Sequence, residues 1–562
     1  MPPGGPEDTT PPKVISVSPK PDSTRVDPNA TIEINFSERM SEEPTEGAIF
    51  ISPFPQKPLD FKWHGKTLIL SSSEPFLNDK TYVITIGTDA QDLRRNRMSQ
   101  SYSFAFSTGG SLDYGTISGE VWVKQKTGQP DPKSDFGKET GISVWAYSLT
   151  TDRREIAPEK EKPDYVTQTD EKGKYSLNNM SLGKYRLFAV KDVDKDLLWI
   201  WESEAIGVTT KDVELTEQNK SKAFIDFIMN KIDKSPPKLL NCRILNKNLV
   251  KLEFDKELDQ RSVLDSTNFV ASSVSTPTVL KIVSAFYQGT ETKTIFLLTE
   301  GTNPKERYEL KVLKVRDKAG NSLDTDSNTC LLDGSEISDT IGPKIIASSP
   351  KKGENNVPLD TKIKLYFDQP PEPQGIEASF SLLDSNEIKI KGKGEWSNSN
   401  TFVFSPDSLL SGKMLYKINL SGIEIRNLSG NVYAKDSILV SSFTTLNPDT
   451  VGSVSGKVEI DENDKSANII LSLWQIEPTG LWYQIRLLQS EPSDGELINT
   501  FMFQRILPGK YFLSGYLDLD KDGNLTLGQP ETFSPLEPFA LHPDTVYVRS
   551  RWETEGVELK FH

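Results

Sequence analysis

The segment that begins at Pro12, "PKVISVSPKPDSTRVDPNATIEINFSERM", returns from Pro343 as "PKIIASSPKKGENNVPLDTKIKLYFDQPP". Both copies run through a Pro-led strand, a Ser-Pro turn, a polar loop and a second strand closing in Phe. Repetition on this scale means that the chain is assembled from copies of one supersecondary plan, which rules out a single large core. A contracted copy starts at Pro237, "PKLLNCRILNKNLVKLEFDKELD". Each copy later carries a turn: "DLRRNRM" from Asp92, "DKAGNSL" from Asp317 and "NLSGNVY" from Asn427. Gly320 and Gly430 suit a left-handed turn position, whereas Arg95 predicts a looser turn in the first copy.

A second plan alternates with the first. "GTISGEVWV", "ISVWAYSL" and "TQTDEKGKYSLNNMSLGKYRLFAV" between Gly115 and Val190 correspond to "GSVSGKVEI", "NIILSLWQI" and "TFMFQRILPGKYFLSGY" between Gly452 and Tyr516. Gly183 aligns with Gly509 and Tyr185 with Tyr511. Runs such as "TIEINF" (31–36), "TYVITI" (81–86), "LVKLEF" (249–254) and "KIKLYF" (362–367) alternate apolar with polar residues, and helical periodicity is nearly absent. The expected fold is all-β, a tandem array of five β-sandwich modules. Linker-like segments set the expected boundaries: a Pro/Gly tether at 1–10, then modules at 11–110, 111–233, 234–337, 338–448 and 449–562.

With 562 residues, a formal charge of -15 and basic residues scattered among 80 acids, the chain repels a phosphate backbone, so nucleic acid is not an expected partner. No apolar run is long enough for a membrane-spanning helix. "MPPGGPEDTTPPK" has the composition of a flexible tether and suits a mature chain trimmed of an export signal, with Met1 as an added initiator. Cys242 and Cys330 fall near the first and last strands of one module, compatible with a disulfide in an oxidising compartment or with two separately buried thiols.

The segments "PPKVISVSPKPDSTRVDPNATIEINFSERM" and "YSFAFSTGG" resemble SbsA-type bacterial Ig-like domains, and residues 338–448 share the resemblance, with 234–337 a divergent relative. "TDEKGKYSLNNMSLGKYRL" and "ILPGKYFL" resemble carboxypeptidase-regulatory-like, or transthyretin-like, domains. The whole order, with "GGPEDTTPP" at its start, is similar to exported Ig-like lipoproteins of Bacteroidota-type envelopes. That resemblance implies an outer-membrane-associated envelope protein with envelope proteins as partners. It would meet the membrane only through a lipidated cysteine that this sequence lacks.

Residues for catalysis are scarce. His64, His542 and His562 fall in different modules or at the terminus, which leaves no His-based zinc site or Ser-His-Asp arrangement, and no phosphate loop or G-x-S-x-G elbow occurs. No catalytic residue and no obligate cofactor is expected, and the chain reads as a non-enzyme. The aromatics of "LLWIW", with Leu197, Trp199 and Trp201 on one face of an extended strand, and Trp482 and Tyr483 of "LWYQI" are candidate contacts for a partner protein or, alternatively, a glycan.

One further pattern could hold calcium. "YLDLDKDGNLTL" places Asp518, Asp520, Asp522 and Asn524 at the first, third, fifth and seventh positions of a calcium loop, with Gly523 at the turn. Gln529 stands where a bidentate Glu is needed, so Glu531 is the expected closing ligand. "VKDVDKDLLWIW" repeats the triplet as Asp192, Asp194 and Asp196, with Leu197 in place of the glycine and no further acid until Glu202 or Glu204. The alternative is a solvated Asx-rich turn.

Overall fold

The computed structural model describes residues 8–54, 57, 59–124, 136–420, 425–427, 429–432, 438–460, 467–477, 482–487 and 499–561. Most of the expected tether, and the side chain of Trp482, therefore lie outside the described residues. The chain is all-β, with paired sheets repeated along its length. It divides into two compact units, one formed by residues 1–232 together with 451–562 and the other by 233–450.

Strands of the first plan bury alternate residues, as their sequence period requires. Ile32–Phe36 alternates buried with exposed positions, and Leu249–Phe254 and Ile363–Phe367 do nearly the same. Their sheets share one strand order. Val14–Ser18, Ile32–Phe36, Thr67–Ser72 and Leu59–His64 pair in that sequence, and so do Leu239–Asn246, Leu249–Phe254, Thr294–Thr299 and Ile282–Tyr287. Ile345–Ser349, Ile363–Phe367, Thr401–Pro406 and Gly392–Asn398 repeat it a third time. In the second unit Cys242 and Cys330 are joined by a disulfide. Cys242 lies on an edge strand of one sheet and Cys330 on an edge strand of the other, so the bond staples the two layers of that sandwich.

Thr81–Ile86 departs from alternation, being buried at every position. The cause is a second partner. Tyr82, Ile84 and Ile86 point into their own core, while Val83 and Ala105 belong to the core that contains Ile117, Val144 and Leu187. The first two segments of the chain thus share a covered sheet face, bridged by Ser101 Oγ donating to Gln168 O at 3.0 Å.

The second plan is also realised twice. Ser143–Leu149 pairs with Tyr165–Gln168 and with Gly183–Val190, which continues to Ile206–Val208. Asn468–Glu477 pairs with Trp482–Leu487 and with Gly509–Asp518, which continues to Phe539–Leu541. In both, a late strand returns parallel to the first: Phe227–Met229 on Gly115–Lys124 and Glu553–Lys560 on Gly452–Glu459. The aligned tyrosines do the same work, since Tyr185 and Tyr511 each donate to the carbonyl four residues upstream, at Ser181 and Leu507.

Candidate functional site

Two acidic loops leave equivalent strands of the second plan, one after Gly183–Val190 and the other as Gly509–Asp518 ends. Their hydrogen bonds fix the equivalence. Glu204 accepts from the backbone N–H groups of Val193 at 2.7 Å and Ile200 at 3.0 Å. Glu537 accepts from those of Leu519 at 2.7 Å and Thr526 at 2.9 Å. Val193 and Leu519 each follow the first aspartate, so Asp192 matches Asp518, Trp199 matches Leu525 and Ile200 matches Thr526. Glu204 and Glu537 are 1 % and 4 % exposed, and burial pushes both carboxyls above the usual carboxylate range. Each clasps its loop from inside.

This geometry corrects the expected ligand sets. One carboxylate oxygen each from Asp518, Asp520 and Asp522 lies within 4.8 Å of the other two, and Glu531 stands outside the group. Glu537, which follows the turn Gln529–Ser534, is the acid that closes the loop. Asn524 turns back onto Asp522, donating from its backbone at 2.6 Å to a carboxylate oxygen. In the first loop the grouped acids are Asp192, Asp194 and Glu204. Asp196 stands outside this group and accepts from the N–H of Leu198 at 2.7 Å, as Asp522 does from that of Asn524.

The first aspartates differ. Asp192 accepts from the N–H of Lys195 at 2.8 Å and of Leu197 at 3.3 Å. Burial, with Glu204 adding repulsion, pushes its carboxyl up to about 7. Asp518 is 0 % exposed and neither of its oxygens accepts a hydrogen bond. Arg486 Nη2 stands 3.7 Å from Oδ2. The Tyr516 hydroxyl donates to Gly523 O at 2.7 Å, and burial, with Asp518 next, pushes it up to about 12.

The aromatic expectations are also corrected. "LLWIW" does not extend into a strand: Leu197 takes a left-handed φ of 63° and the following residues turn. Trp199 is 2 % exposed, its backbone N–H donating to Pro158 O at 2.8 Å and its indole to Glu204 O at 3.3 Å. It packs with Trp145, Tyr147 and Phe188 in a junction cluster, against which Trp201 is half-buried. Buried there, Trp199 offers no stacking face to a sugar. Tyr483 is the counterpart of Tyr165: each hydroxyl accepts a backbone N–H, from Leu507 at 3.2 Å and Ser181 at 3.3 Å. It is half-buried against its own core rather than presented as a contact.

The junction cluster has a consequence that no local pattern announces. It contains Phe50 from the first segment and Leu536 from the last, with Leu525, Leu527, Phe533 and Phe539 packed against it. Leu536 N donates to Thr209 O at 3.2 Å, and the Arg186 guanidinium lies 3.9 Å from the Phe533 ring centroid. Gly528 makes the approach possible, since a Cβ there would meet Val208 Cγ2 at 2.4 Å. The two segments of the second plan therefore pack directly together, and the second acidic loop supplies the contact. A groove of about 490 Å³ beside this junction is lined by Lys174, Tyr175, Asp226 and Lys560. Its polar groups are engaged locally: Tyr175 donates to Ile225 O at 2.6 Å and Asp226 accepts from Glu120 N at 2.8 Å.

A third acidic group, Asp8, Glu38 and Asp92, belongs to the first plan and recurs in altered chemistry. Asn96 donates to Asp92 and to Asp8 O, as Asn321 does to Asp317 and Asp233 O. Lys256 takes the place of Glu38 and contacts Asp233 at 2.7 Å and Asp317 at 3.6 Å. In the next copy Asn427 donates to Asp339 at 2.7 Å and to Gln369 at 3.3 Å. The turn beneath is the same in all three, because Arg95 takes φ 70° beside 90° at Gly320 and 79° at Gly430. Arg95 does not loosen it.

Residues 8–108 and 339–445 match the bacterial Ig-like domain family. The chain is thus an all-β, multi-module protein that carries two bacterial Ig-like domains. No curated protein matches it. Among solved structures, the N-terminal part of the bacterial S-layer protein SbsC is similar at 15% identity over 33% of this chain and 40% of that one, with a TM-score of 0.16. L,D-transpeptidase 3 from Mycobacterium tuberculosis is similar at 16% identity, covering 20% of this chain and 39% of its own, with a TM-score of 0.14. E. coli alpha-2-macroglobulin aligns at 9% identity over 96% of this chain and 34% of its own, with a TM-score of 0.15. Likenesses this distant carry no functional argument.

Proposed function

We propose that the chain is a non-enzymatic structural protein of the bacterial cell envelope, a scaffold of Ig-like and transthyretin-like sandwiches that presents its surfaces to other envelope proteins. The observation that carries the proposal is the Cys242–Cys330 disulfide, because such a bond persists in exported proteins and is rare in a reducing cytosol. The two Ig-like matches agree with it. So does the use of large aromatics: Trp145, Trp199, Tyr147 and Phe188 are spent on joining segments rather than on lining a pocket. In this account residues 111–233 and 449–562 are the transthyretin-like modules, and a lipid anchor outside this sequence holds the Pro/Gly tether at the outer membrane.

The test is to fractionate cells that make the native gene product and to label free thiols before lysis. Recovery in the envelope fraction, with Cys242 and Cys330 labelled only after reduction, is the expected result. A cytosolic protein with both thiols labelled directly would overturn the proposal. Crosslinking in intact cells, followed by mass spectrometry, then identifies the partners.

A further inference from the structure

Asp518 has the unusual position in the second acidic loop. It ends the strand Gly509–Asp518, fully buried, with both carboxylate oxygens lacking a hydrogen bond. Burying a carboxylate in that state is strongly unfavourable unless a positive partner approaches. Among the described residues Arg486 is the cation that approaches it, and at 3.7 Å its Nη2 is beyond hydrogen-bond reach.

The loop does not use its own N–H groups to fill the need, although its counterpart does. The second and third aspartates behave alike in both loops: Asp194 and Asp520 accept from the residue two ahead, at 3.4 and 3.0 Å, and so do Asp196 and Asp522, at 2.7 and 2.6 Å. The first aspartate is where they part. Lys195 and Leu197 turn their N–H groups onto Asp192, and no N–H does this for Asp518. What Asp518 faces instead is the carboxylates of Asp520 and Asp522, with oxygens from all three within 4.8 Å of each other. Oxygens bound to one calcium at 2.3–2.6 Å lie at most about 5 Å apart across the ion, so the three carboxylates are close enough to share one; Asp192, Asp194 and Glu204 are as close, and the unbonded Asp518 carboxylate is what sets this loop apart.

We propose that Asp518, Asp520 and Asp522 bind one calcium-class divalent cation, with carbonyl oxygens of the loop and water completing the shell. Hard oxygen ligands and three negative charges select a divalent cation of this kind over a soft metal. The site lies in the same loop that carries Leu525, Leu527, Phe533 and Leu536 to the junction cluster, so the bound cation stiffens the segment that joins the two transthyretin-like modules. The loop at Asp192 binds no cation, since its first aspartate is already satisfied.

The test is calorimetric titration of the full chain, stripped with chelator, with calcium chloride and then with magnesium chloride. One calcium per chain is expected. Asp520→Asn should weaken binding tenfold or more, and Asp194→Asn in the other loop should leave it unchanged. Asp522→Asn, at an exposed position, serves as a second variant if Asp520→Asn fails to fold, and circular dichroism establishes folding in each case. No binding heat at a few millimolar calcium, the affinity of weak extracellular sites, would overturn the proposal. Loss of binding in Asp194→Asn would overturn the choice of loop, and equal affinity for magnesium would overturn the calcium class.

Discussion

The loops at Asp192 and Asp518 start from equivalent strands, carry the same aspartate spacing and are clasped by an equivalent buried glutamate, yet they solve the same electrostatic problem differently. In the first, the chain folds its own N–H groups onto the leading carboxylate and fills the turn with apolar side chains: Leu197, at φ 63°, and Trp199 are both buried. In the second, Gly523 takes the left-handed turn at φ 81° with open space around it, and Leu525 replaces Trp199. The first loop is a plug. The second is a polar cage whose apolar residues point outward to a neighbour. An acidic triplet does not define a site by itself; in the proposed account, what matters is whether backbone donors have already satisfied it.

The largest expected difference concerns the plug. Trp199→Ala should destabilise its unit by about 3–5 kcal/mol, the range for truncating a buried aromatic, whereas Leu525→Ala at the matching half-buried position should cost about 1 kcal/mol. Denaturant unfolding of the full chain measures both, and equal costs would break the contrast. Next is a reversal of sign at Asp518. In chelator, Asp518→Asn removes a buried charge with no hydrogen bond and should raise the melting temperature. In calcium at about a hundred times the dissociation constant, the wild type gains about 2.7 kcal/mol that the variant lacks. The change in stability caused by Asp192→Asn should be the same with and without calcium.

Where the loops agree, the effects should agree. Glu204→Gln and Glu537→Gln each deprive one or two buried N–H groups of a charged acceptor, and each should cost about 1–3 kcal/mol. The plug also differs in its pH dependence. Asp192 titrates at about 7 in the folded chain, above its ordinary value, so its contribution to stability is fully present below about pH 4 and is lost as pH rises through 7. Thermal melts between pH 5 and 8 should therefore fall more steeply for the wild type than for Asp192→Asn.

Much of this architecture was legible in the sequence, for physical reasons. Alternation in "TIEINF" and "KIKLYF" follows directly from the two-residue period of a strand, and the doubled Pro-led and Gly-Lys-Tyr segments exposed the repeats. The pairing of Asp triplets was legible too. Its closure was not, because Glu537 reaches the cage only after the chain has turned back through Gln529–Ser534, and linear spacing favoured Glu531. Trp199 was misplaced on an extended strand because period-two alternation in "LLWIW" gives no sign of the turn that Asp192 and Asp196 impose. The docking of the last module on the second rests on Arg186, Val208, Gly528 and Phe533, residues hundreds of positions apart that no local pattern relates.

The most direct test of the account is hydrogen–deuterium exchange on the full chain, with and without calcium. The account predicts that the amides of Asn524, Thr526 and Leu536 slow when calcium is added, while those of Lys195 and Leu197 do not change. The Leu536 amide reports the junction itself, since it donates to Thr209 O. Equal slowing in both loops, or no change in either, would contradict the central claim that one loop is closed by its own backbone and the other by a cation.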